Sequence, residues 1–337
     1  MVLPSRSAVA SQLSAAAGVQ STASPGGKGI MTGLDTPVSN LPNAISELGH
    51  TPIFVNAFDG FVSKGSPSVF PKTFVESMLA AGTIPMITWQ PNLTNWQTQS
   101  VLTTITSGAE DAYITTWANA AKAEKGTIFM RLMHEFNGDW YPWGTVITGI
   151  TPLAKNQVNT SPVTGTYPYT NTPAMYVAAF RHVVNLFRKA GATNVTFIWC
   201  IGTGASVANI KPYYPGDSYA RWVAMDGYNR SATSPKPFSK IFGPGYAAIS
   251  NTTHHPIMVA ELGSIEFSGL GSDPASKAQW ITDTFLDVIP KTYPSIRAVS
   301  YYDATVGTYT YPFDSDPASL AAMKKVYASA LYRRHPA

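Results

Sequence analysis

Eight apolar stretches of strand length recur along this chain, at intervals that leave room for helices between them. Each stretch is apolar almost without interruption, as expected of strands buried on both faces, whereas a strand with one wet face alternates apolar and polar residues. The eight stretches are residues 29–34, 52–58, 84–89, 127–134, 195–201, 222–228, 256–262 and 296–302. Buried strands that alternate with helices predict a closed parallel (β/α)8 barrel, or TIM barrel. An open doubly wound sheet is the alternative, because spacing along the chain does not establish closure.

The segments between the apolar stretches carry the periodicity of helices. In residues 173–190, Tyr176, Phe180 and Val183 recur at steps of four and three residues, and Gly191 can end the helix in a left-handed conformation. Similar patterns predict four further helices, at residues 70–81, 111–125, 275–288 and 317–331.

Two segments that follow strands have no clear periodicity, and both read as insertions. They are residues 145–172, rich in Thr, Pro, Gly and Asn, and residues 205–221. Each is expected at the carboxyl end of its strand, the face on which barrel enzymes place their sites. No internal repeat or dividing linker interrupts the chain. We therefore predict a single (β/α)8 catalytic domain over residues 28–337, preceded by an Ala/Ser/Gly-rich N-terminal segment over residues 1–27.

The charge pattern excludes several classes of partner. The net charge is +4, and the basic residues are spread along the chain without a block of five or more, so nucleic-acid binding has little support. No run of eighteen apolar residues occurs, so no membrane span is expected. The sequence is interpreted as that of a monomer, and no cofactor or metal is expected.

The surface composition favours a secreted protein. Only 12% of residues are charged, about half the usual share, so Ser, Thr, Asn, Gln, Gly and Tyr must cover the surface. We interpret residues 1–27 as a mature N-terminus or linker from which a signal has been removed. Five Asn-x-Ser/Thr sequons add weak support. The single cysteine, Cys200, lies in an apolar run, which predicts a buried thiol and excludes an intramolecular disulfide.

Two of the seven glutamates stand where an apolar stretch ends. Glu135 ends MRLMHE, and Glu261 ends IMVAE. A carboxylate at the mouth of a barrel is costly unless it is used. The fourth and seventh strands lie across a barrel of eight, so these carboxyls can face each other over a cleft. Glycoside hydrolysis needs such a pair, about 5–5.5 Å apart for retention and about 6.5–9.5 Å apart for inversion.

Alternatives to this pair stay open. Each glutamate could be a salt-bridged structural residue, with Arg131 or Arg221 as its partner. Glu266, five residues after Glu261, is the second candidate for the nucleophile.

Large aromatic residues follow Glu135 in a loop rich in Gly and Pro. Trp140, Tyr141 and Trp143 occupy three of four positions and cannot all be buried at helical spacing. Sugar rings present apolar C–H faces that stack on indole and phenol, so exposed aromatics beside carboxylates suit a saccharide cleft. The alternative is a local cluster that packs on itself. Trp89 and Trp199 also end strands, and each could be either a sugar platform or part of the core.

Other chemistries lack their motifs. His134-Glu135 has no second histidine at the spacing of His-Glu-x-x-His, which argues against a catalytic zinc site. No Gly-x-Ser-x-Gly nucleophile elbow occurs. Gly202-Thr203-Gly204 lacks the third glycine and the acidic partner of a dinucleotide site.

Three sequence blocks together resemble glycoside hydrolase family 26. RLMHEFNGDWYPWG at residues 131–144 is similar to the acid/base signature of that family. YPGDSYARWVAMDGYN at residues 214–229 resembles its sixth-strand block, and AELG at residues 260–263 resembles its nucleophile block. The blocks agree with the family in order and spacing, and the strand pattern extends the match over roughly residues 28–332.

The resemblance implies a retaining endo-acting enzyme on a (β/α)8 barrel, with Glu135 as acid/base and Glu261 as nucleophile. It implies further that His134 is the active-site histidine and that Tyr228 contacts the nucleophile. Trp140 and Trp143 match aromatic walls of the sugar subsites. This chain has Trp-Tyr-Pro-Trp where mannanases of the family commonly have a Trp-Phe-Trp-Trp-type run, which favours a glucan over mannan.

The eighth strand departs from the family as well, since Tyr301 and Tyr302 stand where tryptophan is usual; we take Tyr301 as the substrate contact. The predicted partner is a plant-type polysaccharide or oligosaccharide, either mixed-linkage β-1,3-1,4-glucan or β-1,4-mannan. A non-catalytic carbohydrate-binding barrel and a transglycosylase that uses the same glutamates are the alternatives.

Overall fold

The computed structural model describes residues 29–63, 65–144, 150–151, 164–165, 169–267, 275–333 and 335–336. The predicted N-terminal segment over residues 1–27 and most of the predicted insertion over residues 145–172 lie outside the described residues.

Eight parallel strands form the centre of the fold. They are β1 Ile30–Asp35, β2 Phe54–Gly60, β3 Ile84–Gln90, β4 Ile128–Leu132, β5 Val195–Gly202, β6 Trp222–Asn229, β7 Ile257–Ser264 and β8 Ile296–Tyr302. Each strand pairs with the next along the chain, and β1 also pairs in parallel with β8, from Met31↔Ala298 to Asp35↔Tyr302. The sheet is therefore closed, which confirms the predicted (β/α)8 barrel and excludes the open doubly wound sheet.

Helices surround the strands. They are α1 Leu41–Leu48, α2 Lys72–Ala80, α3 Val101–Thr106, α4 Asp111–Ala123, α5 Pro173–Ala190, α6 Phe238–Ser250, α7 Lys277–Thr282, α8 Ile289–Thr292 and α9 Pro317–Ala328. A π-helical turn, Asp283–Val288, joins α7 to α8, and a 3-10 turn spans Lys211–Tyr213.

Short two-residue strands also occur among the described residues. They pair as His50–Thr51 with His335–Pro336, Val62–Ser63 with Ser66–Pro67, Ile150–Thr151 with Thr164–Gly165, and Thr305–Val306 with Tyr309–Thr310. Tyr332–Arg333 adds in parallel to the beginning of β1.

The helix α5 shows how local sequence sets an element. Thr172 caps its N-terminus by accepting a hydrogen bond from the backbone N–H of Met175, and Pro173 occupies the first turn, where no N–H partner is needed. Gly191 ends the helix at φ 81°, a left-handed conformation that glycine adopts without strain. The predicted and observed bounds of this helix agree.

Three separate helices were not expected from the sequence, α1, α3 and α6, and the four-residue α8 extends the predicted helix 275–288 beyond its expected end. The first two have eight and six residues, too few for a clear period. The third, α6, contains Pro244 in its interior, together with glycines that the usual rules count as helix breakers. Tertiary packing of buried Phe238, Phe242 and Ile249 outweighs that local cost.

Two apolar cores lie on the two sides of the sheet. Within the barrel, Met86, Phe129, Met258 and their neighbours form one cluster, and a larger cluster fills the space between strands and helices. Gly33 on β1 makes the inner core possible, since a Cβ there would lie 2.1 Å from the ring of Phe54. Among the described residues, no helix is both long enough and apolar enough to cross a membrane.

Candidate active site

The chain leaves β4 along a strained path that delivers Glu135. Two non-glycine residues just past the strand have positive φ, 48° at Met133 and 52° at Glu135. Each such residue costs about 1–3 kcal/mol and persists only where the surroundings impose it. Here the N–H of Met133 donates to the carbonyl of Trp89 on β3 (3.2 Å), and the N–H of Glu135 donates to that of Cys200 on β5 (3.0 Å). Both neighbouring strands thus hold the acidic residue in place.

An irregularity in the sheet places Glu261 on β7. The pairing of β6 with β7 shifts by one residue, so that Met225 pairs with Val259 but Asp226 pairs with Glu261. Such a bulge re-aims the side chains beyond it. Glu261 keeps only 6% of its surface exposed, and its carboxylate accepts hydrogen bonds from the guanidinium of Arg131 and from the hydroxyl of Tyr228. Two donors, one of them charged, hold this carboxylate in one orientation.

Glu135 differs from Glu261 in its hydrogen bonds: it accepts from one neutral donor, Trp140, whereas Glu261 accepts from two donors, one of them charged. Burial, then the negative charge of Glu261, raise the pKa of the Glu135 carboxyl to about 7, against the lowering effect of the Trp140 hydrogen bond and of Arg131 and Arg230. The indole N–H of Trp140 donates to Oε2 of Glu135 at 2.6 Å. The two glutamates are therefore close enough to interact, and their surroundings differ in the sense that an acid and a nucleophile require.

Arg131 is the charged centre of the site and is fully buried. Its Nη1 donates to Asp226 (2.7 Å), its Nη2 donates to Glu261, and its Nε donates to the hydroxyl of Thr88 (2.8 Å). Burial alone would lower the pKa of Arg131, but the two carboxylates raise it well above its usual value. The guanidinium is therefore charged, and it offsets the carboxylates that surround it.

Comparison with known proteins decides the family. The family model described as glycosyl hydrolase family 26 matches residues 75–289, more than half of the chain. This chain belongs to glycosyl hydrolase family 26.

Individual relatives agree with that membership. The chain is 32% identical, over 79% of its length, to Endoglucanase H of Acetivibrio thermocellus, and 23% identical, over half of its length, to Mannan endo-1,4-beta-mannosidase A and B of Caldalkalibacillus mannanilyticus. It spans only about a quarter of either relative (26%). The solved GH26 beta-mannanase of Bacteroides ovatus shares the fold, with a TM-score of 0.64 and 16% identity over 97% of this chain and 94% of that one.

The structure of this family 26 chain shows the partners of the glutamates and of the two arginines named as alternatives. Glu261 does pair with Arg131, as the salt-bridge alternative anticipated, and its charge also acts on the carboxyl of Glu135. Arg221 is exposed and precedes the start of β6, at the opposite end of the barrel. Glu266 pairs with Lys277 (3.1 Å) and accepts a hydrogen bond from Ser315. Those contacts already engage Glu266, the second nucleophile candidate.

His134 lies beside Asp226 and Glu261, and only 1% of its surface is exposed. Burial, then the charge of Arg131, lower its pKa well below the usual value, so the imidazole is neutral. His134, Asp226 and Glu261 offer possible metal-ligand atoms within 4.8 Å of one another. Because Arg131 already bonds to both carboxylates, a cation there would meet a fixed positive charge. The donor set therefore fits a metal poorly.

Four of the predicted sugar contacts require correction. Trp89, Trp143, Trp199 and Tyr301 expose at most 1% of their surface, so none presents a ring face to a ligand. Trp89 stacks on Trp117 at 4.5 Å, and Trp199 stacks on Phe136 at 5.2 Å, both outside the barrel.

The other two corrected residues are also held by protein contacts. Trp143 stacks on Tyr141 at 4.5 Å and donates its indole N–H to the carbonyl of His134 (2.7 Å), as in the alternative of a loop cluster that packs on itself. Tyr301 donates its hydroxyl to the carbonyl of Tyr311 (2.9 Å). Of the predicted tryptophans, Trp140 is the one that contacts Glu135 and keeps part of its surface exposed.

Several residues of the site were missed from the sequence. Tyr302 packs edge-on against Tyr228 (5.5 Å), whereas the adjacent Tyr301 points into the outer core; alternation along β8 could have separated the two. The hairpin after β8 brings Tyr309 and Tyr311 to the same side. Arg230, just past β6, lies 4.6 Å from the ring centroid of Tyr228. Nothing in the local sequence marks Tyr309, Tyr311 and Arg230 as neighbours of Tyr228.

Proposed function

We propose that this chain is a retaining endo-β-glycosidase that hydrolyses a β-linked polysaccharide by double displacement, with Glu135 as acid/base and Glu261 as nucleophile. One observation carries the proposal: a glutamate just past the end of β4 and a glutamate on β7 interact, and they differ in their hydrogen-bond donors and nearby charges. The pKa of Glu135 is raised to about 7, while two donors hold the carboxylate of Glu261. Family membership supports the same roles.

In the first step, a carboxylate oxygen of Glu261 attacks the anomeric carbon and the glycosidic C–O bond breaks. Glu135, protonated near neutral pH, gives its proton to the leaving oxygen. The product is a glycosyl ester on Glu261. Arg131 and Tyr228 hold the attacking carboxylate in the orientation that this step needs.

In the second step, Glu135, now ionised, takes a proton from water, whose oxygen attacks the same carbon. The bond to Glu261 breaks, and both glutamates return to their starting states. Two inversions give net retention. The neutral imidazole of His134 adds no charge beside the reacting sugar, and the exposed part of Trp140 offers a ring next to the proton donor.

As substrate we propose mixed-linkage β-1,3-1,4-glucan ahead of β-1,4-mannan. The Trp-Tyr-Pro-Trp sequence at residues 140–143 departs from the mannanase pattern, and the relative named an endoglucanase is more similar than the one named a mannosidase. We also propose that the chain is secreted and monomeric; its low charge supports the first of these. Reducing-sugar release from barley β-glucan, lichenan, glucomannan, galactomannan and β-1,3-xylan tests the substrate. Reducing-sugar release confined to the mannans or to the xylan would contradict the proposed preference for mixed-linkage glucan.

Variants of the two glutamates test the mechanism. Glu135→Ala and Glu261→Ala should each lower turnover by at least ~10³-fold while polysaccharide binding persists, given the usual size of acid/base and covalent contributions. Glu266→Ala is the matched control, because Glu266 pairs with Lys277, and should keep turnover within a few-fold of the wild type. Near-wild-type turnover in either active-site variant rejects the assignment. NMR of the first product should show the anomeric configuration of the substrate, and inversion would reject the covalent route.

A further inference from the structure

A line of buried hydrogen bonds crosses the floor of the site. Nδ2 of Asn56 donates to Oδ2 of Asp35, the hydroxyl of Thr88 donates to Oδ1 of Asn56, and Nε of Arg131 donates to the hydroxyl of Thr88. Each of the three bonds is 2.8 Å long. The four residues come from β1, β2, β3 and β4 in turn, and none exposes more than 5% of its surface. We call this line the Asp35–Arg131 relay.

The bond from Arg131 to Thr88 has a fixed direction, and the other two bonds of the relay continue it. A guanidinium can only donate, so the Thr88 oxygen accepts from Arg131 and its single proton is free to go to Asn56. The amide oxygen of Asn56 accepts that proton, which leaves its N–H2 group for Asp35. Burial and the charge of Glu261 raise the pKa of Asp35 well above its usual value, and Oδ2 accepts in either protonation state. In this arrangement every polar group of the relay that faces a neighbour has a partner.

The relay controls the plane of the Arg131 guanidinium. That group is flat, and its donors point in fixed directions within the plane. Nε is held by Thr88 and Nη1 by Asp226, so the direction in which Nη2 reaches Glu261 follows from these two anchors. Phe58 lies 5.6 Å from Cζ of Arg131 and covers the group. Loss of the Thr88 hydroxyl would leave a buried N–H unpaired and remove one of the two anchors.

We propose that Thr88 and Asn56 are positioning residues for the nucleophile: they orient the guanidinium of Arg131, and through it the carboxylate of Glu261, without touching the sugar. This proposal rests on the proposed role of Glu261. A shift of about 1 Å at a reacting group can cost about 100-fold in rate. The effect should fall on kcat, because no residue of the relay between Asp35 and Arg131 binds substrate, and it should fall on formation of the glycosyl ester.

Thr88→Val tests the proposal, since valine has the same shape without the hydroxyl. We expect kcat to fall ~10–100-fold, with KM within about threefold of the wild type. Inactivation by an activated 2-deoxy-2-fluoro glycoside of the substrate sugar, which reports ester formation alone, should slow by a similar factor. Thr88→Ser keeps the hydroxyl and should restore most of the turnover.

Thr32→Val is the matched control. Thr32 is a buried threonine on β1 whose hydroxyl donates to the carbonyl of Arg333 at 2.8 Å, away from the relay. The control loses a hydrogen bond and gains a buried methyl group in the same way, yet its kcat should stay within about twofold of the wild type. An equal loss of kcat in Thr32→Val and Thr88→Val would mean that turnover responds to stability alone and would overturn the proposal.

Asn56→Ala and Asp35→Ala, each of which removes a hydrogen-bonding group of the relay, keep the proposal testable if Thr88→Val does not fold. Both break the relay farther from Arg131, so we expect smaller losses of kcat, with that of Asn56→Ala the larger. Unchanged kcat in Thr88→Val, or in both of these variants, would also overturn it. The wild type and Glu261→Ala separate this failure from failure of the proposed function. An active wild type with an inactive Glu261→Ala keeps the nucleophile and rejects only the relay.

Discussion

At the scale of single residues, the protonation of Glu135 sets the working range of the proposed enzyme. Burial and the charge of Glu261 favour its protonated form, whereas the Trp140 indole N–H, Arg131 and Arg230 favour its ionised form. The balance gives a pKa of about 7. The first step needs the protonated form, so kcat/KM should fall as the pH rises through about 7.

Trp140→Phe should move that basic limb of kcat/KM to higher pH. The indole N–H stabilises the ionised carboxylate, so its removal raises the pKa of Glu135 and extends the range in which the acid is protonated. The expected shift is roughly half a pH unit to one unit, the usual effect of one such hydrogen bond. The pH profile of kcat/KM is the measurement.

Trp143→Phe is the control for this prediction. Its indole N–H donates to the carbonyl of His134 and not to a carboxylate, so the basic limb should stay where it is in the wild type. A limb that moves to lower pH in Trp140→Phe, or that moves equally in both variants, would show that Trp140 does not tune the proton donor.

At the scale of elements, the strands could be predicted from sequence because burial on both faces leaves an uninterrupted apolar run. The two glutamates could be found for the same reason, as charges that end such runs. The direction of a side chain at a strand end could not be predicted, since it depends on where the strand stops. β4 stops at Leu132, and in the loop that follows Trp143 is buried while Trp140 donates to the carboxylate of Glu135.

The close approach of β5 to Glu135 could not be predicted from the sequence either, because it involves residues far apart along the chain. Gly202 ends β5, and a Cβ there would lie 3.2 Å from Trp140 and 3.3 Å from the carboxyl carbon of Glu135. Its backbone cannot retreat easily, since its N–H and carbonyl both bond to the side chain of Asn137 at 2.8 Å.

Gly202→Ala should therefore displace Glu135 and Trp140 and lower kcat/KM by about tenfold or more, while the thermal midpoint changes little. Gly204→Ala is the matched control two residues on. A Cβ there meets Trp140 only at 4.0 Å, an ordinary contact, so activity should stay near that of the wild type. Steady-state kinetics with a thermal melt decide the matter; full activity in Gly202→Ala would show that the site tolerates the added methyl group.

At the scale of the whole molecule, the barrel separates stability from function along its axis. The site occupies the carboxyl ends of the strands, and residues at the opposite end hold the barrel closed. Tyr332 is at that opposite end: it is 2% exposed, its strand pairs with the start of β1, and its hydroxyl donates to the carbonyl of Phe285 (2.8 Å). Tyr309 is on the hairpin beyond β8, is 39% exposed, and stacks on Tyr311.

Alanine at these two tyrosines should give opposite results. Tyr332→Ala removes a buried ring, which costs about 3–5 kcal/mol, so the melting temperature should fall by roughly 5–10 °C while kcat/KM at 25 °C stays within about twofold. Tyr309→Ala removes an exposed ring that also faces the guanidinium of Arg230 at 5.6 Å, so the melting temperature should hardly change while kcat/KM falls roughly 3–10-fold through loss of a sugar-stacking surface. Melting curves and kinetics on the same preparations test both halves. If Tyr332→Ala lowered kcat/KM at 25 °C by much more than about twofold, the two ends of the barrel would be coupled. Stability and activity would then not belong to opposite ends of the barrel.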